Sequence, residues 1–431
     1  MKFPPISQVS SLQLFNLLRF GTTLLISVFL AKSGLPTADI ALYEAFLFFT
    51  NMASFFWVAG GQNALLQLYP KGDDGHQKKT IFHVWVVFSG LSLLAAATLG
   101  LFWQPLFGLT NFDEAPPVFG LCLFIAFNTP AWLNHLFYLL WGQKNAILWY
   151  GMVTFGLQLA AVVLPLSVGM SLNAVFAALV GVAFLKFLWS VYLIARRGVV
   201  AWDGSLLRTY AALAFPLILH VFIGNSVEYV DGLIVAGYFE DSAFAIFRYG
   251  AKELPLTLLL VGAVVTALIP EVARDVEGGL KKIKSETARL SKWLFPLSAG
   301  LMLVSPWLFP MVFNPDFAAS APVFNVYLLI ISSRILLPQV VLMAHGKNYY
   351  LVVSAIFETL LNIGLSLWWA QIFGLTGIAF ATVVAYLFNK IVLIYFNHKH
   401  LGIPPDAYID FRKYLVFNAL LFGAYGISQW W

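Results

Sequence analysis

The sequence predicts an all-α, polytopic membrane protein. Twelve core transmembrane helices, followed by a thirteenth apolar segment, form two pseudo-symmetric six-helix bundles around a central cavity. Three observations predict this. The 431 residues are 60% hydrophobic and only 10% charged, against about 25% charged in soluble domains. Apolar stretches long enough to cross about 30 Å of hydrocarbon as helix recur along the whole chain. They are continuous, unlike the alternating ten-residue segments of a β-barrel. Lysine and arginine fall almost wholly on alternate loops, as the positive-inside rule requires.

The first span, 9–32, follows a single positive charge, Lys2, and lacks a small-residue cleavage site. It therefore reads as a retained helix and not a removed signal peptide. Five spans complete the first half, near 38–67, 81–103, 117–140, 145–167 and 172–195. The second half follows near 209–238, 242–270, 291–313, 318–344, 349–371 and 375–396. The last apolar run, 414–431, ends in "SQWW" and either spans the membrane or lies at its interface. The domain organisation is a first bundle at 1–195, a cytoplasmic linker at 196–208, a second bundle at 209–396, and at 397–431 a cytoplasmic segment with the extra hydrophobic run.

With the N-terminus in the cytoplasm, one set of loops holds Lys71, Lys78, Lys79, Lys144, Arg196, Arg197, Arg208, Arg274, Lys281, Lys282, Lys284, Arg289, Lys292, Lys347, Lys399, Arg412 and Lys413. The opposite loops are short and acidic or neutral, as in "NFDEAPP" and "NPDF". The net charge of +5 is then a topology signal, and no nucleic-acid partner is needed to explain it.

The halves repeat. "WGQKN" follows the fourth span and "AHGKN" the tenth, with Lys144 and Lys347 203 residues apart. Lys186 and Lys390 are 204 apart, and "ALYEA" in the second span aligns with "AIFRYGA" in the eighth at the same offset. A common offset points to two parallel halves related by an axis along the membrane normal.

Charges inside the spans carry the functional signal, because each costs about 2.5–3.5 kcal/mol at mid-bilayer. Equal distances from a hairpin turn place residues at equal depth. About the turn near Gly346, Arg334 and Glu358 are each 12 residues away, which predicts a structural ion pair. About the turn near Glu240, Asp231 matches Arg248 and Glu228 matches Lys252, which predicts two rungs of opposite charge; Glu253 is left without a rung. Arg19 lies 17 residues from its turn and Glu44 only 8, so these two do not match. Lys186 and Lys390 are placed to snorkel toward the cytoplasmic headgroups. Arg19, Arg248 and Lys252 are the candidate substrate-binding residues. Glu44, Glu228, Asp231 and Glu253 are candidates for coupling to Na⁺ or H⁺, or for holding the basic groups. The four spans that carry these seven charges, the first, second, seventh and eighth, are those expected to line the cavity.

Absent motifs narrow the chemistry. The single cysteine, Cys122, makes no disulfide within the chain, and there is no metal-ligand spacing, P-loop or HExxH. No cofactor or metal is expected.

"VDGLIVAGYFEDSAFAIFRYGA" across the seventh hairpin and "VVTALIPEVAR" ending the eighth span resemble bacterial polysaccharide and O-antigen flippases of the multidrug/oligosaccharidyl-lipid/polysaccharide exporter superfamily. The shared features are an Asp late in the seventh helix (Asp231), the small-aromatic "AIFRYGA" and a Pro near the end of the eighth (Pro270). The resemblance implies a transporter that moves an undecaprenyl-diphosphate-linked glycan across the bacterial inner membrane by alternating access, for cell-surface polysaccharide synthesis. Its partners would be that lipid-linked glycan, membrane lipids and other polysaccharide-assembly proteins. Arginine suits such a ligand because its planar guanidinium binds phosphate bidentately. Two alternatives remain at this point: a multidrug or cation antiporter of the same superfamily, and a membrane-embedded glycan polymerase or ligase, which the short outer loops disfavour.

Overall fold

The computed structural model describes residues 8–71 and 73–430; Lys2 and Trp431 lie outside the described residues. Every regular element among them is helical. By internal contacts the chain divides into two compact units, Met1–Asn225 and Ser226–Trp431.

The first unit contains α1 (Gln8–Lys32), α2 (Thr37–Met52), α3 (Phe55–Leu68), α4 (Asp74–Leu101), α5 (Trp103–Phe107), α6 (Val118–Ala131), α7 (Asn134–Leu140), α8 (Lys144–Ser167) and α9 (Leu172–Arg197). Helix α10 (Gly204–Tyr238) begins in this unit and runs into the second. Asp73 caps α4 by accepting from the His76 N–H at 2.8 Å, which satisfies one of the unpaired donors of the first turn. Helix α9 ends on Arg196 and Arg197, favourable charges at the negative end of a helix dipole. The unit packs α1 on α8, α4 on α6 and α6 on α9. Its core gathers Phe15, Trp57, Phe88, Phe137, Tyr150 and Tyr210.

The second unit continues with α11 (Asp241–Gly250), α12 (Pro255–Arg274), α13 (Val276–Val312), α14 (Ser320–Leu328), α15 (Ile331–Arg334), α16 (Pro338–Ala344), α17 (Tyr349–Leu401) and α18 (Phe411–Ser428). Asp275 caps α13 by accepting from the Gly278 N–H, and Asp410 caps α18 by accepting from the Lys413 N–H. Helix α18, the thirteenth apolar segment, packs along α13. Asn325 on α14 ties the two together: it accepts from Ser305 at 2.7 Å and donates to Ser428 at 3.1 Å.

Nine helices among the described residues are long and apolar enough to cross a membrane, or ten when the bent pair α2 and α3 is one span. The predicted count of twelve is not reached on this measure because several spans are not single helices. The second span is broken between α2 and α3 with a 48° bend, and the eighth is unwound at 251–254 between α11 and α12. The fourth is interrupted at 132–133 and the tenth at 329–330 and 335–337. Conversely, α17 runs through the eleventh and twelfth spans, with Gly374 breaking the helical geometry between them.

The repeat read from the sequence reappears in backbone detail. Gly142 and Gly346, 204 residues apart, both take the left-handed conformation, at φ 71° and 67°. Each closes the same turn: the next residue's N–H reaches back five residues, Gln143 to the Tyr138 carbonyl and Lys347 to the Leu342 carbonyl, both at 2.9 Å.

Candidate functional site

In the first unit the charged residues gather round one indole. Trp132 sits where the fourth span is interrupted, and its carbonyl accepts from Gln62 Nε2 of α3 at 2.9 Å. Arg19 of α1 lies over the Trp132 ring, its guanidinium carbon 5.4 Å from the centroid. Lys186 of α9 approaches the same ring at 5.7 Å and donates to Asn128 Oδ1 at 2.5 Å. Neither cation has a carboxylate partner among the described residues. The ring faces attract both charges without neutralising either. Lys186 therefore departs from the snorkelling expectation: it is turned to an amide and an indole within the unit.

A hydrogen-bond lattice fixes that cluster. Asn134 accepts from Ser190 at 2.7 Å and donates to the Tyr150 hydroxyl and the Lys186 carbonyl, each at 3.1 Å. His135 beside it stacks on Phe15 with centroids 4.6 Å apart. Glu44, the candidate acid of this half, is buried on α2.

The second unit holds the remaining candidates, paired differently from the sequence expectation. Arg248 bonds Glu228 at 3.3 Å, not Asp231. Lys252 lies over the Tyr249 ring at 4.8 Å, not against Glu228. The Lys252 rung fails because α11 ends at Gly250 and the chain unwinds over 251–254. Depth counted along an unbroken helix is wrong past that point. Arginine's long side chain also spans the one-turn offset, about 5.4 Å, to Glu228.

Arg334 likewise does not pair directly with Glu358. Its Nε donates to Glu253 Oε2 at 3.0 Å and its Nη2 to Oε1 at 2.6 Å. Glu253, which has no rung partner in the sequence pattern, thus holds a bidentate one, and the Arg334 guanidinium also lies 4.6 Å from the Tyr386 centroid. Glu358 acts on Arg334 and on Lys390 through the longer-range field. Lys390 donates to Gln339 at 3.0 Å. The hairpin argument misses this because the unwound segment of the eighth span brings Glu253 to the break in the tenth.

Asp231 is buried, 1% exposed, with three hydroxyls and the Asn362 amide against its carboxylate. Ser366 donates to Oδ1 at 3.1 Å, Thr382 donates to Oδ2, and the Tyr327 hydroxyl approaches Oδ2 at 3.5 Å. Asn362 donates to the Thr382 hydroxyl at 3.2 Å, while its own Oδ1 is buried with no hydrogen-bond partner. A buried carboxylate ringed by oxygens, with an orphaned amide oxygen alongside, fits a small hard cation or a proton. Sequence reasoning passes over Asn362, Ser366, Thr382, Trp132 and Tyr386. One signal points to the first two: Glu358, Asn362 and Ser366 recur every four residues, a polar stripe along an otherwise apolar helix. No three His, Cys, Asp or Glu among the described residues converge as a metal site.

A family profile described as "Lipid II flippase MurJ" matches residues 145–429. The fold is similar to a solved structure described as "Lipid II flippase MurJ, inward closed conformation", with TM-score 0.68 and 16% identity over 96% of this chain and 98% of that one. It is also similar to an inward-facing multidrug resistance MATE transporter of the MOP superfamily, with TM-score 0.66 and 13% identity over 88% and 94%. A MOP superfamily transporter from Pyrococcus furiosus, described as having a binding pocket of reverse polarity, aligns with TM-score 0.55 and 14% identity over 92% and 93%. No curated protein matches the sequence. At these identities the structural likeness establishes the fold.

Proposed function

The chain belongs to the lipid II flippase MurJ family, and from that premise we propose that it carries a polyprenyl-diphosphate-linked saccharide precursor across the bacterial inner membrane by alternating access. It is a transporter of a lipid-linked precursor and not an enzyme, which removes the polymerase and ligase reading. Within that class the family match favours a precursor of the lipid II kind over an O-antigen or other polysaccharide repeat unit. The features that carry the resemblance to polysaccharide flippases, Asp231, "AIFRYGA" and Pro270, do not separate the two.

One observation carries the substrate reading: Arg19 and Lys186 share the Trp132 ring without a carboxylate to neutralise them. Two cations held in an apolar bundle call for an anion, and a diphosphate supplies the charge and the oxygens that arginine binds best. Arg248 and Lys252 are the candidate substrate-binding cations of the second unit. Asp231 is the proposed coupling site, taking Na⁺ or H⁺ among the oxygens of Ser366, Thr382 and Asn362. Lysine and arginine enrichment on one set of loops supports a cytoplasmic N-terminus.

The second reading, a multidrug or cation antiporter, rests on the fold shared with MATE transporters. A cationic drug would be repelled at Arg19 and Lys186. Cells depending on Arg19→Ala or Arg248→Ala variants should accumulate precursor on the cytoplasmic leaflet, with transport lowered roughly 10- to 100-fold for one lost charged hydrogen bond. Unchanged transport in both variants at normal protein levels would remove the anchor assignment, and a drug-sensitivity phenotype without precursor accumulation would favour the antiporter.

A further inference from the structure

The second span of each half is broken, and in each half a side chain ties it to the break in the fourth span of that half. In the first unit the tie is neutral, Gln62 to the Trp132 carbonyl. In the second it is ionic, Glu253 to Arg334. The helical ladder of α11 ends on the Ala251 N–H, which reaches the Phe247 carbonyl; 252–254 do not continue it, and α12 starts without a side-chain cap. On one side of this gap α11 is fixed: a Cβ at Gly250 would lie 2.6 Å from the Ser320 carbonyl oxygen, and Ser320 Oγ donates to the Ile246 carbonyl at 2.8 Å. On the other side Pro255 brings no N–H with which to rejoin the ladder. Arg334 ties the segment to another part of the unit through two hydrogen bonds to Glu253, and the same guanidinium rests on Tyr386.

We propose that Arg334 is a positioning residue: through Glu253 it latches the unwound 251–254 segment as a hinge and sets where Lys252 is presented, and an anionic diphosphate competes with Glu253 for Arg334 to release it. The second clause rests on the substrate reading above; the latch does not. A bidentate pair of this kind is stable only while both charges stay matched, because removing one partner leaves the other buried and uncompensated. A competing anion supplies a replacement partner, so exchange avoids that penalty. The neutral tie in the first unit has no such lever, which makes the two halves unequal in their response to ligand.

The test uses the full chain in proteoliposomes, with Cys122→Ala and a reporter Ala251→Cys, and measures the rate of labelling by a small thiol reagent. Arg334→Gln is expected to raise labelling roughly 100-fold over the parent, the effect of breaking a buried pair on local opening. The exchanged pair Glu253→Arg with Arg334→Glu is expected to return it to within a few-fold of the parent. Should Arg334→Gln fail to fold, Glu253→Gln breaks the same pair and is read the same way. Parental labelling in whichever of these folds, or an exchanged pair that labels as fast as Arg334→Gln, overturns the latch. A short polyprenyl diphosphate, with sulfate as the control anion, is then added to the parent. Faster labelling with the diphosphate alone supports release by substrate. Labelling that follows Arg334 but ignores the diphosphate leaves the latch standing and overturns the release, separately from the substrate reading.

Discussion

Three carboxylates in one unit occupy three different environments, and each predicts a different behaviour. Asp231 lies among hydroxyls, Glu253 against a guanidinium, and Glu228 on a partly open salt bridge to Arg248. Asp231→Asn keeps the shape of the site but removes the charge. It is expected to abolish any dependence of transport on Na⁺ or pH while leaving protein levels intact; a variant with unaltered ion dependence would remove Asp231 from the coupling role. Outside the membrane spans, Asp203 is held below the usual carboxylate range, first by the Ser205 hydroxyl, then by the Leu206 N–H, with Lys79 adding charge at 3.8 Å. A lowered folded-state pKa contributes stability that is present above the unfolded pKa and lost as pH falls through the folded one. Asp203→Ala should therefore lower the melting temperature at pH 7, and the deficit should shrink below about pH 4. In the first unit Asn134 makes three hydrogen bonds in a buried site. Asn134→Ala should cost about 1–3 kcal/mol through loss of these three hydrogen bonds, readable as a drop in thermal midpoint.

At the scale of elements, the spans are legible in the hydropathy of the sequence and their interruptions are not. Long apolar runs and loop charges locate the helices because insertion into lipid demands both. The breaks at 251–254 and 335–337 each end at a proline, Pro255 and Pro338, a signal that hydropathy does not register. The break at 251–254 defeats the pairing of Lys252 with Glu228, and one at 335–337 separates Arg334 from the turn it shares with Glu358, since equal depth presumes continuous helices. The repeat, by contrast, is visible in "WGQKN" and "AHGKN" because both turns need glycine at one backbone angle. Gly142→Ala and Gly346→Ala should each destabilise by about 1–2 kcal/mol, the cost of a left-handed conformation for a residue with a Cβ. At Gly156 in α8 an added methyl would meet nothing within 4 Å, so Gly156→Ala should be neutral or slightly stabilising. Equal effects at all three positions in a thermal melt would contradict the turn argument.

For the whole molecule, family and transporter class rest on the match over 145–429 and on the shared fold, and the substrate reading rests on uncompensated basic charge. Composition alone indicates a membrane protein of many spans, and the charge census singles out Arg19. What sequence does not supply is the company Arg19 keeps: Trp132 and Lys186 reach it from the fourth and sixth spans. The most direct measurement is reconstitution of the purified protein in proteoliposomes carrying lipid II in one leaflet, with its arrival in the other leaflet followed in time. Protein-dependent translocation that falls at least about 10-fold in Arg19→Ala is expected. Absence of translocation by folded protein, together with uptake of a cationic drug in the same vesicles, would contradict it.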